Sequence, residues 1–143
     1  MHLQPGTGCR NEHFLLDTNI LSELSRPQPN PHVLAWSARI PRIAISVITL
    51  EELRFGVAAH PGVRLQRWLD EILLQVATVI PVDQAKAEWA GTQRGKQRLI
   101  GRTLTQADAL IAATAALEGL TLVTRNVRDF QGLGLSLLNP FDD

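Results

Sequence analysis

Only one of the 143 residues is a cysteine, none is a tyrosine, and the 14 acidic side chains are matched by 14 basic ones. A single cysteine, Cys9, excludes an intrachain disulfide and a thiolate zinc site. Balanced charge excludes the global basic field of a protein that holds long nucleic acid by charge alone, so any nucleic-acid contact has to be local. With no tyrosine and only Trp36, Trp68 and Trp89, no base-stacking platform stands out, and Trp36 and Trp89 fall where helices would bury them. No charged region followed by an apolar run opens the chain, and the most apolar stretch, Ala107 to Leu117, is too short to cross a bilayer. These absences lead us to expect a cytoplasmic protein with no membrane partner. The length suits one domain with its own core, taken as residues 14–143 behind a flexible, glycine- and proline-containing leader at 1–13.

What is present is an alternation of short apolar strands and helical stretches. Phe14-Leu15-Leu16 reads as a buried strand ended by Asp17, and Ile20, Leu21 and Leu24 then recur at helical spacing. A breaker run from Arg26 to Pro31 precedes a helix carrying Val33, Leu34 and Trp36, which Pro41 stops. Ile43 to Ser46 is a second strand, followed by helices over about Val47 to Ala58 and, beyond His60-Pro61-Gly62, Val63 to Val76. Thr78 to Val82 is a third strand, placed at a sheet edge because Pro81 removes a ladder donor. A helix capped by Asp83 ends in the basic stretch Arg94 to Arg102. Thr105 opens the helix Gln106 to Glu118, which Gly119 closes. Leu120 to Thr124 is a fourth strand, Arg125 to Phe130 a turn or short helix, and Leu135 to Leu138 a last strand. Strands separated by helices require crossover connections, hence an α/β layer with a mostly parallel sheet.

The acids fall in equivalent places along this pattern. Asp17 ends a strand, although Asp17 or Thr18 would equally serve as a helix cap. Asp108 is the lone charge near the start of an alanine-rich helix that should be buried nearly all round. It reads either as half of a Thr105-x-x-Asp108 capping box or as a carboxylate needing a cation. Glu51 and Glu52 open the helix after the second strand, and periodicity does not choose between them; Thr49-x-x-Glu52 also reads as a capping box. Asn126 and Asp129 follow the fourth strand, where a polar turn is the plain alternative. In a parallel sheet, residues that follow strands or open helices gather at one rim. Clustered carboxylates repel unless a cation joins them, and oxygen-only ligands favour Mg2+ or Mn2+. Metal-assisted phosphodiester hydrolysis is the chemistry such a cluster suits.

In order, Leu15-Leu16-Asp17-Thr18-Asn19, Ser46-x-x-Thr49-x-x-Glu52-Leu53-x-x-Gly56, Asp108-Ala109-x-Ile111-Ala112-Ala113-Thr114-Ala115 and Thr124-Arg125-Asn126-x-x-Asp129-Phe130 resemble the motifs of PIN-domain ribonucleases. The likeness, strongest to the VapC and FitB type of toxin in type II toxin–antitoxin systems, runs from Phe14 to Phe141. It implies a three-layer α/β/α sandwich and an Mg2+- or Mn2+-dependent endoribonuclease with Asp17, Glu52 and Asp108 as metal ligands. The family often has a fourth acid where this chain has Asn126, so either Asn126 or Asp129 would complete the catalytic set, with Thr18 and Thr124 holding the carboxylates. The resemblance further implies a homodimer and a cognate antitoxin that covers the acidic rim. Lys96, Arg98 and Arg102 are the candidate contacts to RNA phosphates, a folded RNA being read by shape.

Two other enzyme readings fit less well. A haloacid-dehalogenase-like phosphatase wants a second aspartate where Asn19 stands. A P-loop fails because Gly91 to Lys96 has one residue too few between its glycines and Gln97 replaces the metal-binding hydroxyl. A catalytically inactive PIN-like binding or dimerisation module is the alternative from outside enzymology.

Overall fold

The computed structural model describes residues 13–142, so the expected leader lies outside the described residues except for His13. The carbonyl of His13 accepts from Thr121 N, which already joins it to the sheet. The elements are β1 (Phe14–Leu16), α1 (Thr18–Leu24), α2 (Pro31–Ala38), β2 (Ile43–Ser46), α3 (Val47–Ala59), α4 (Val63–Arg67), a π-helical turn (Trp68–Leu73) and α5 (Leu74–Val76). Then come β3 (Ala77–Ile80), α6 (Gln84–Leu99), α7 (Gln106–Glu118), β4 (Thr121–Val123), a 3-10 turn (Val127–Phe130), β5 (Leu137–Leu138) and a closing 3-10 turn (Pro140–Asp142).

The five strands pair in parallel in the order β3-β2-β1-β4-β5. Successive residues of a strand point to opposite faces, and that alternation divides the core in two. Leu15, Ala44 and Leu122 face one side with Ile111, Ala112 and Phe130. Leu16, Ile45 and Val123 face the other, with Ile20, Leu21, Val33, Trp36, Leu53 and Leu69. Helices therefore cover both faces, giving the expected three layers with a parallel sheet between them.

Several expectations shift in detail. The third strand is an edge strand as expected but lies at Ala77–Ile80, so Pro81 stands just beyond it and takes no ladder position. The helical stretch from Val63 to Val76 is helical throughout, but the Trp68–Leu73 segment is wound as a π-helical turn that periodicity did not indicate. Trp36 is buried as expected, whereas Trp89 is only partly buried.

Two features matter for the site. First, polar residues at strand ends cap the following helices: Asp17, just past β1, accepts from Thr18 N, and Ser46, the last residue of β2, accepts from Ile48 N, so β1 runs into α1 and β2 into α3 with no intervening loop. Second, α7 is buried along Ala109, Ile111, Ala112, Ala113, Thr114 and Ala115, and ends at Gly119, whose φ of 69° only glycine adopts without strain. Lys86, 4 % exposed, joins α6 to the end of α7 through Glu118, with Nζ to Oε2 at 3.0 Å.

Candidate active site

The strand order places the first strand between β2 and β4, and the chain reverses its direction of travel across the sheet there. A crevice opens at the carboxyl ends of strands on either side of such a reversal. Asp17 lies at the end of β1 and Thr124 at the end of β4, and they meet across it: Thr124 Oγ1 donates to Asp17 Oδ2 at 2.8 Å. Asp17 N also donates to Val123 O at 2.9 Å, and Thr18 N to Asp17 Oδ1 at 2.8 Å. Asn19 completes the cradle. Its amide lies 3.3 Å from Asp17 Oδ2 and 3.4 Å from Thr124 Oγ1, while its carbonyl oxygen accepts from Arg125 N at 3.1 Å.

These bonds hold a carboxylate that is only 5 % exposed. Burial raises the Asp17 carboxyl above its ordinary value, opposed by the hydrogen bonds from Thr124, Thr18 and Asn19, and the charge of Asp129 adds to the rise. Asp108, half-buried in the first turn of α7, is pushed up to about 6 by desolvation first and then by the charges of Asp17, Asp129 and Glu52, with a Thr105 hydrogen bond opposing. The Thr105-x-x-Asp108 cap is real, since Thr105 Oγ1 accepts from Asp108 N at 3.1 Å. Capping and membership of the acidic cluster coexist here, as they do at Asp17.

Thr18 Oγ1 donates to Glu52 Oε1, joining α1 to α3. The Thr49-x-x-Glu52 capping box is not formed: α3 begins at Val47 under the Ser46 cap, and the buried Thr49 hydroxyl has no partner among the described residues. A cavity of about 580 Å³ brings together Asp17, Thr18, Glu52, Asp108 and Asn126. Glu51 also borders it, as do Asn19, Ser22 and Phe55. Asp129 does not; it lines an adjoining cavity with Arg125 and Arg128, into which Asn126 also projects. Asn126 N donates to Thr124 Oγ1 at 3.0 Å.

Sequence reasoning missed Asn19 as a site residue, although an Asp-x-Asn pair at a strand end carried the signal. Ser22 lies one helical turn beyond Thr18 and Phe55 one turn beyond Glu51, so the spacing that found the acids would have found them too. Phe55 is 67 % exposed at the cavity rim. The expected basic contacts are not all together. Arg98 and Arg102 line a separate cavity, while the exposed Lys96 is not among its lining residues.

The donor set suits a divalent ion. It is all oxygen, and both aspartates are raised by burial and by neighbouring negative charge, which a cation would relieve. Among the described residues no three His, Cys, Asp or Glu side chains are placed to enclose an ion. The fit is therefore to a water-rich ion held by one or two carboxylates, the usual habit of Mg2+, rather than to a closed protein cage.

The PIN domain family matches residues 14–134. The chain belongs to the PIN-domain family. Similar proteins include toxin FitB of Neisseria gonorrhoeae, 36% identical over 138 residues covering 91% of this chain and 99% of FitB. VapC ribonuclease Y4jK of Sinorhizobium fredii is 35% identical over 137 residues, covering 90% of this chain and 98% of the relative. Among solved structures, FitAcB from Neisseria gonorrhoeae superposes with a TM-score of 0.81 at 34% identity, covering 90% of this chain and 98% of that one. The PIN fold thus accounts for the parallel sheet and its carboxyl-end crevice. Among the described residues of this PIN domain no helix is long and apolar enough to cross a membrane.

Proposed function

We propose that this PIN domain, taken as residues 14–143, is a metal-dependent endoribonuclease, the toxin half of a toxin–antitoxin pair. The observation that carries the reading is the single cavity bordered by Asp17, Glu52, Asp108 and Asn126, drawn from four separated segments. Of Asp17, Asp108 and Glu52, one or two would hold Mg2+ or Mn2+ directly and the others through its bound water; the ion when bound lowers the pKa of water and offsets charge developing on a phosphate. Asp17 is fixed by Thr124 and Asn19, so its oxygens are preorganised. Glu52, half-buried and oriented by Thr18, would take a proton from a water in the cavity. Asn126, in the place of a fourth acid, orients water or a phosphate oxygen without adding charge, and Asp129 supplies negative potential from the adjoining cavity. Arg98 and Arg102 contact RNA phosphates.

The toxin and ribonuclease relatives support a cytoplasmic protein acting on cellular RNA. A nuclease of that kind requires an inhibitor in its own cell, so a cognate antitoxin covering the acidic cavity follows. We further propose a homodimer; the exposed Leu34, Ile72 and Val76 border an apolar cavity of about 300 Å³ that suits a protein contact. The test is cleavage of total cellular RNA by antitoxin-free protein with Mg2+ or Mn2+, against Asp17→Asn and an EDTA control. Cleavage by wild type alone is expected. Folded wild type that neither cuts RNA nor binds either metal by calorimetry would refute the reading in favour of an inactive binding module.

A further inference from the structure

The end of α6 and the loop after it form a cavity of about 440 Å³ lined by Gly91, Arg94, Gly95, Arg98 and Arg102, with no acidic residue in its lining. At 100° per residue, Gly91, Arg94, Gly95 and Arg98 share one face of α6, while Lys96 lies on the far side. Two of the three guanidinium groups are pinned. Arg94 Nε donates to Leu104 O at 3.3 Å and Arg102 Nη2 to Arg128 O at 3.3 Å. Neither bond neutralises a positive charge, and among the described residues none of the three arginines has a carboxylate partner.

The floor is equally informative. Gly91 and Gly95 lie inside a helix, where glycine is unfavourable relative to alanine. A Cβ built on either meets nothing within 4 Å, so no protein packing requires them. They leave open ground between fixed positive groups, which suits an extended polyanion approaching the helix backbone.

The cavity is also connected to the acids. Asn126 borders both the acidic cavity and its neighbour, Arg128 lines that neighbour, and Arg102 bonds to the Arg128 carbonyl from the arginine cavity. Asn126 and the Arg102–Arg128 hydrogen bond thus link the arginine cavity, by way of its neighbour, to the cavity of Asp17 and Asp108.

We propose that the Arg94–Arg98–Arg102 cavity binds the phosphate backbone of the RNA strand flanking the cleavage point, with Gly91 and Gly95 as its floor. This rests on the nuclease reading above. It deepens that reading by excluding Lys96 and adding Arg94 and the two glycines. Guanidinium groups match phosphate oxygens bidentately, Arg94 and Arg102 are held by backbone carbonyls, and such contacts set position rather than base sequence.

The test measures binding of a fluorescein-labelled RNA stem-loop to the full chain in EDTA across a salt series, with cleavage by the same proteins measured in Mn2+. Each lost phosphate contact lowers the slope of log affinity against log salt by about 0.7 to 0.9. The Arg94→Gln, Arg98→Gln double variant is expected to bind about tenfold more weakly with a slope about 1.5 shallower, and Lys96→Gln to behave as wild type. Gly95→Ala is expected to weaken binding while raising the melting temperature, a combination that damage to the fold cannot produce. Wild type that cuts and binds while the double variant keeps its affinity and slope would overturn the cavity assignment alone. Wild type that neither binds nor cuts would instead refute the nuclease reading. Displacement of the stem-loop by polyglutamate as readily as by polyuridylate would assign the cavity to an acidic peptide and overturn the proposal.

Discussion

Replacing Asp108 with asparagine should stabilise the metal-free protein at neutral pH while abolishing cleavage. Asp108 is raised from 3.8 to about 6 in the fold, chiefly by desolvation and then by Asp17, Asp129 and Glu52. A carboxyl group whose folded value exceeds its unfolded value binds its proton more tightly when folded. Stability therefore falls as pH rises from about 4 to about 6, and the loss is complete above that. At 1.36 kcal/mol per pH unit the ceiling is about 3 kcal/mol. Asp108 is half-open to water, which screens the repulsion, and its charge sits favourably at the N-terminus of α7, so the net penalty is about 1 kcal/mol.

Thermal melts of EDTA-treated wild type and Asp108→Asn at pH 4.5 and 7.5 read the contribution of Asp108 and its coupling to the neighbouring acids, because titrating groups remote from the cluster cancel in the difference. At pH 4.5 the two should melt within a degree or so; at pH 7.5 the variant should melt about 3 °C higher. A divalent ion at a hundredfold excess over its dissociation constant adds about 2.7 kcal/mol to wild type and should reverse the order. If Asp108→Asn is the less stable protein at pH 7.5 without metal, the carboxylates do not repel as placed and the reasoning fails.

Three further outcomes follow from the packing and the hydrogen bonds. Thr124→Val removes a buried hydroxyl that donates to Asp17 and accepts from Asn126 N; chemical denaturation should show a loss of about 2 kcal/mol and cleavage should fall about 10- to 100-fold, with Thr124→Ser recovering most of both. Lys86→Met removes one ionic partner of Glu118 at the α6–α7 contact and should cost about 1 kcal/mol in urea melts at pH 7, whereas Glu118→Leu leaves the buried Lys86 ammonium with only the longer contact to Asp83 and should cost more. Gly95→Ala should stabilise the free protein by about 0.5–1 kcal/mol, and a loss of stability would show that the α6 floor is packed after all.

The order of the strands and helices was legible because each short apolar run is bounded by a polar cap or a breaker. What escaped is what tertiary contact decides. The π-helical turn at Trp68–Leu73 winds residues that still recur at helical intervals, so the hydrophobic pattern reads straight through it. Glu51 and Glu52 lie about 100° apart on the helix, but Glu51 projects between Leu50 and Ile48 and Glu52 beside Ile48 and Gly56, so a helical wheel does not choose between them. The bond from Thr18, 34 residues away, distinguishes Glu52 by its orientation, although both border the cavity. Lys96 and Arg98 read as one basic run at the end of the helix capped by Asp83, yet the helix turns them to different sides, as about 100° per residue requires.

At Asp17 and Asp108 the choice between cap and site residue was framed as exclusive, and the structure joins the two. A helix start supplies amide donors and positive potential, which favour the ionised carboxylate against the burial that opposes it. Asp17 benefits through Thr18 N and Asp108 from the first turn of α7. A parallel sheet gathers strand ends and helix starts at one rim, so it brings acids together at the same place where the backbone offsets part of their repulsion. The remainder of that repulsion is what a divalent cation relieves. Capping in this fold is one of the terms that lets Asp17, Glu52 and Asp108 share a cavity, and the same term holds the Asp108 carboxyl below the value that burial and three neighbouring charges alone would give it.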